Sequence, residues 1–191
     1  LYDCCKENDL YLFLDGARLA SAMAASDVTY EDLACYTDIF YIGGTKNGGY
    51  IGEAVVINNL ALAKEFDYCI KHFGAMLAKG FVAAIPFEVL MADNLYLEIG
   101  KKENECAAYL TNQLKKQGVR FMCESSTNQI FPILNKKMVD YLAKEFLFEI
   151  WDYKNDNEIV IRLVTSFTTE LSHCNEFLDL SLIHISEPTR P

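Results

Sequence analysis

The chain has 191 residues, room for one substantial domain or for one domain with a small second one. Seventeen basic against 27 acidic side chains leave a net charge of −10, which excludes the basic face that a nucleic-acid footprint requires. Seven cysteines at irregular spacing form no CxxC pair, so neither a zinc site nor a thioredoxin-type motif is signalled and no metal is expected.

The chain opens in an amphipathic stretch (LYDCCKEND) that reads as the last turns of a helix. Leu10 to Leu14 is a short continuous apolar run ended by Asp15-Gly16, the pattern of a strand buried on both faces of a parallel sheet. Ala17 to Ala25 begins as a short helix of small residues, and Thr29-Tyr-Glu-Asp32 offers a capping pattern before Leu33. Asp38 to Ile42 predicts a second buried strand, running into Gly43-Gly44-Thr45-Lys46-Asn47-Gly48-Gly49, and Glu53 to Ile57 predicts a third.

From Leu60 to about Gln117 the pattern turns helical. Leu62, Phe66, Cys69, Ile70 and Phe73 recur at three-to-four spacing, with Gly74, Gly80 and Pro86 expected to break or kink the stretch. After Gly118 strands are predicted over 119–123, 130–134, 146–153 and 158–165, with helices over 136–145 and 170–180. The division expected is 1–80 for part of a larger sheet domain, 81–117 for connecting helices and 118–180 for a small α+β domain. Residues 181–191 (SLIHISEPTRP) abandon the preceding amphipathic pattern and are expected to be a non-native tail. No apolar run approaches transmembrane length and no secretory leader is recognised. With free thiols suited to a reducing compartment, a cytoplasmic location without membrane partners is expected.

Two strand ends carry the chemistry. Asp15 closes one buried strand and Lys46 follows the next, 31 positions later. In an open parallel sheet, ligands bind outside the carboxyl ends of the strands, so both side chains are expected in one crevice. A lysine beside a glycine-rich turn, facing an aspartate, is what pyridoxal 5′-phosphate (PLP) chemistry needs. The amine condenses with the cofactor aldehyde, the carboxylate keeps the pyridine nitrogen protonated, and Thr45 could donate to the phosphate. On spacing alone a Lys-Asn-Gly-Gly turn is more often a solvated loop, and Asp-Gly a strand terminator.

The wording of the segments goes further. Residues 10–19 (LYLFLDGARL) resemble a segment of the low-specificity threonine aldolases, members of the β-eliminating lyase family. Residues 38–58 (DIFYIGGTKNGGYIGEAVVIN) resemble its lysine-bearing segment. Thr127 to Pro132 and Val160 to Ser166 resemble its small-domain segments, in the same order. The resemblance implies the α/β fold type I of PLP-dependent transferases, a partial large-domain sheet followed by a small α+β domain. It implies Lys46 as the Schiff-base lysine, Asp15 on the ring nitrogen, Arg18 beside the cofactor and substrate carboxylate, and Arg162 as the main carboxylate ligand. Lys71 and Asn128 are weaker candidates for lining the site; Lys71 reads first as a residue of a solvated helix face.

The implied activity is cleavage of threonine-type β-hydroxy-α-amino acids to glycine and an aldehyde. The implied substrate is a small amino acid, and the implied assembly is a homodimer or homotetramer. The resemblance also places further family elements before Leu1, so the chain alone is expected to be inactive. Two other readings stay open. One is β-elimination from an aromatic or sulfur amino acid. The other is a non-catalytic α/β domain whose glycine-rich turn cradles a phosphate, although neither GxxxxGK[ST] nor GxGxxG is present.

Overall fold

A computed structural model describes residues 1–185; side chains are described as far as Ser181. The chain divides into two compact units, Leu1–Gly100 and Lys101–Pro191.

The first unit opens with α1 (Tyr2–Glu7), β1 (Phe13–Leu14), α2 (Leu19–Ala24), α3 (Tyr30–Tyr36), β2 (Ile39–Gly43) and β3 (Glu53–Ile57). It continues through α4 (Phe66–His72) and α5 (Phe81–Met91) into the start of α6 (Leu95–Lys116). The sheet order is β1-β2-β3. β1 runs parallel to β2, with Phe13 opposite Ile39 and Leu14 opposite Phe40, whereas β3 folds back antiparallel.

One face of this sheet is packed. Phe40 is buried with Leu19, Ala20 and Met23 of α2, Leu33 of α3, Leu90 of α5 and Tyr96 of α6, flanked by Leu14, Ile42 and Val56. The expected two-sided burial of residues 10–14 is corrected. Only Phe13 and Leu14 pair as strand, and Leu10, Tyr11 and Phe13 are all more than half exposed. Among the described residues β1 pairs with β2 alone, and an apolar run does not reveal what covers each face of its strand.

Local sequence explains the turns. Thr29 accepts from the Asp32 N–H while Asp32 accepts from the Thr29 N–H, the full capping box that starts α3. Such a cap is worth about 0.5–2 kcal/mol. Pro86 breaks nothing: it lies inside α5. The helical stretch is interrupted between α4 and α5, where Gly74 and Gly80 lie as expected, and again at Asp93 and Asn94, both at positive φ (49° and 62°). Their short polar side chains tolerate the left-handed region better than most.

The second unit holds the rest of α6, then β4 (Arg120–Phe121), β5 (Gln129–Ile130), β6 (Pro132–Asn135), α7 (Lys136–Leu142), β7 (Glu149–Asn155), β8 (Glu158–Val164) and α8 (Leu171–Ile185). The run predicted over 130–134 is divided between two strands that pair with different stretches of β8. The sheet runs β4-β6-β8-β5, with β7 also on β8, and every pairing is antiparallel. Its core joins Cys106, Leu110 and Leu114 of α6 to Ile161 and Leu163 of β8, Met138 and Leu142 of α7, and Phe177 of α8. α8 passes the expected end at Leu180. Ser181 is buried and donates to the Leu178 carbonyl and to Gln117. The rest of the expected tail, 186–191, lies outside the described residues.

Candidate active site

Because β1 and β2 are parallel, their carboxyl ends share one rim. β1 delivers Asp15-Gly16-Ala17-Arg18 there, and β2 delivers Gly44-Thr45-Lys46-Asn47. The two loops are joined by backbone. The Gly43 N–H donates to the Gly16 carbonyl at 3.0 Å. A Cβ on Gly16 would stand 1.7 Å from the Tyr41 carbonyl oxygen, and one on Gly43 would stand 2.5 Å from the Gly16 oxygen. Only glycine fits at this crossing.

Asn47 completes the joint. It is fully buried, and its Nδ2 donates to the Gly43 carbonyl at 2.8 Å and to the Ala17 carbonyl at 3.1 Å. Tyr96, also buried, donates to the same Gly43 carbonyl at 3.0 Å. Neither residue stood out in the sequence. A polar residue after the lysine reads as turn chemistry, and Tyr96 lies in an ordinary apolar helical pattern.

Asp15 accepts the Tyr41 hydroxyl and, at 3.0 Å, the Ala17 N–H. These two bonds, and then the positive charges of Lys46 and Arg18, hold its carboxyl below the usual carboxylate range. Tyr41 is pushed up to about 12 by donating to that carboxylate. Both acceptances fall on Oδ1; among the described residues nothing donates to Oδ2. Lys46 is exposed in the turn and makes no hydrogen bond or ion pair among the described residues.

The remaining expected residues are placed as follows. Arg18 is half-buried at the start of α2, near enough to Asp15 to act on its charge. The Thr45 hydroxyl donates to Glu53 at 3.0 Å, and the Gly44 N–H donates to the same carboxylate. Lys71 lies in the last turn of α4 and lines a surface groove with Glu65, Tyr68, Cys69, His72 and Phe73.

Two more belong to the second unit. Asn128 is buried and donates to Glu103 at 3.2 Å and to the Thr165 carbonyl at 2.8 Å. Arg162 pairs with Glu149, stacks over Trp151 at 5.3 Å, and keeps its Nε buried without a partner.

The fold and this rim define an α/β protein with an open lysine and an oriented carboxylate at adjacent parallel strand ends. The chain belongs to the beta-eliminating lyase family, matching it over residues 1–137. It is 30% identical over 184 residues to a low specificity L-threonine aldolase of Pseudomonas aeruginosa, covering 94% of this chain and 52% of that protein. It superposes on a solved threonine aldolase of Leishmania major with TM-score 0.92 and 43% identity, over 97% of this chain and 55% of that one.

A serine palmitoyltransferase of Sphingomonas wittichii shares the fold at TM-score 0.68 and 14% identity, over 94% of this chain and 48% of that one. The fold is thus the α/β fold type I of the PLP-dependent enzymes. The chain spans about half the length of these relatives.

Proposed function

We propose that this chain supplies the lysine and ring-nitrogen carboxylate of a PLP-dependent carbon–carbon lyase. The enzyme would cleave threonine-type β-hydroxy-α-amino acids to glycine and an aldehyde. The observation that carries the reading is Asp15, ionised, with one carboxylate oxygen doubly held and the other without a donor, on the same rim as an unengaged Lys46. An oriented carboxylate oxygen fits a protonated ring nitrogen, and an unengaged amine fits an aldehyde. When bound, the cofactor supplies a carbonyl that condenses with amines and a ring that accepts the electrons of a bond broken at Cα.

The chain's own residues do the rest by position and charge. Lys46 would hold the cofactor through its unengaged amine. Asp15 keeps a proton on the ring nitrogen, because its carboxyl is held below the usual range and stays ionised. Arg18 and Arg162 are each candidates for the substrate carboxylate, for which a guanidinium is suited by its fixed charge and bidentate geometry. Thr45, whose hydroxyl donates to Glu53 in the turn before Lys46, stays a candidate for the cofactor phosphate. Lys71 and Asn128 stay secondary candidates, the first for its exposed cation and the second for its place in the Thr127–Pro132 segment.

A homo-oligomer is supported by α5, which is apolar apart from Glu88 and leaves Phe81, Val82, Ile85 and Val89 exposed. A helix of that kind is ordinarily covered in the working assembly. Among the described residues no helix is long and apolar enough to cross a membrane.

Borohydride reduction in the presence of PLP, followed by peptide mapping, tests the cofactor reading. A reduced adduct on Lys46, lost in Lys46→Ala, is expected; an adduct elsewhere or nowhere overturns it. Product analysis separates the two family chemistries. Glycine with an aldehyde supports aldol cleavage, whereas pyruvate with ammonia supports β-elimination, the reaction that the family's description names.

A further inference from the structure

Tyr41 lies in the middle of β2, on the sheet face opposite the buried Phe40. Its ring is 6.1 Å from that of Phe13, which sits two residues before Asp15 on β1. From there its hydroxyl donates to Oδ1 of Asp15, the oxygen that also accepts the Ala17 N–H at 3.0 Å. A carboxylate turns about a broad, roughly two-fold torsion and exchanges its oxygens readily when nothing holds it. Two donors converging on one oxygen, one from β2 and one from the loop after β1, remove that freedom.

We propose that Tyr41 is a positioning residue. By holding Oδ1 it fixes Asp15 so that Oδ2 alone is presented to the protonated ring nitrogen of PLP. The inference rests on the cofactor reading above. Tyr41 acts through Asp15, and a phenylalanine at this position would keep the ring packing and lose only the donor. The donor comes from a ring wedged beside Phe13 on the neighbouring strand, so it is placed by the sheet and needs no ordering when ligand arrives.

The test measures binding, on the polypeptide as it is made in the cell. Affinity for PLP and for its 1-deaza analogue, in which carbon replaces the ring nitrogen, is titrated by absorbance and fluorescence for the wild type and Tyr41→Phe. The wild type should prefer PLP. The substitution should weaken PLP binding about tenfold, the scale of a hydrogen bond to a charged group, and leave the analogue's affinity unchanged. The melting temperature of the cofactor-free protein should not move.

Equal weakening of both ligands means a merely structural tyrosine and overturns the proposal, as does unchanged PLP affinity in Tyr41→Phe. A wild type that takes up neither ligand overturns the cofactor reading itself and this inference with it. Asp15→Asn provides an independent arm. It should abolish the preference for PLP over the analogue, and in that background Tyr41→Phe should cost nothing further. A further loss there would count against the proposal.

Discussion

Lys6 and Asp38, 32 residues apart, form an ion pair of 2.8 Å in which the carboxylate is buried and the ammonium half-exposed. Asp38 also accepts the Leu12 N–H at 2.8 Å and the Asn59 amide at 2.9 Å. Its backbone carbonyl takes the N–H groups of Asn58 and Asn59. One residue thus ties α1, the approach to β1, the start of β2 and the end of β3.

The hydrogen bond from Lys6, followed by those from Leu12 and Asn59, brings the Asp38 carboxyl to about 2, below its ordinary 3.8. A depressed carboxyl adds stability above its unfolded value and loses it as pH falls toward the folded one. Urea midpoints measured from pH 6 down to pH 2 should therefore converge for wild type and Asp38→Asn. The variant should be less stable near neutrality, and the gap should close between about pH 4 and pH 2. A gap that stays constant across that window would refute the assignment.

Gly16→Ala should destabilise by about 1–3 kcal/mol or more, because its Cβ would stand 1.7 Å from backbone that cannot swing aside. Gly80→Ala is the control. It meets only the Leu77 carbonyl, at 3.5 Å, and should be neutral or stabilising by up to about 1 kcal/mol. Denaturant titration of the pair gives both numbers on one scale.

Asn47→Ala removes the donor shared by the Gly43 and Ala17 carbonyls. The expected cost is about 1–3 kcal/mol, with faster proteolytic cleavage between Gly44 and Gly52 as the lysine turn loosens. Unchanged cleavage would mean that the turn is held without the Asn47 side chain, by Glu53, Tyr96 and its own backbone bonds.

Much of this was readable before any coordinates. The apolar runs marked β2 and β3 within a residue, and the strand-end positions of Asp15 and Lys46 followed from the same pattern. Tyr41 was not legible as more than a strand former, because its partner lies 26 residues away and is brought to it by strand pairing. Glu53 was read as a strand start. Its hold on Gly44 and Thr45 depends on β3 folding back antiparallel, which one strand's composition does not encode. The Leu10–Leu14 run leaves its covering open for a related reason: hydrophobicity records what a strand tolerates, and its neighbours decide what it meets.

Arg162→Lys should change stability by less than about 1 kcal/mol, since its Glu149 partner is half-exposed. If Arg162 takes the substrate carboxylate, steady-state kinetics should give a KM at least about tenfold higher with kcat less affected. An unaltered KM would leave Arg162 as the structural partner of Glu149 and Trp151.

The crossing of Gly16 over Gly43 has a bearing on how such a protein can change over generations. Main-chain atoms meet there with no room for a single extra carbon, so the span from Asp15 to Lys46 is written in peptide units and owes little to the surrounding side chains. Apolar neighbours can drift and new specificities can be selected at the periphery, while that span acts as a fixed ruler. A library that randomises 15–17 or 43–47 should return mostly dead clones, and one aimed at the flanking helices should not.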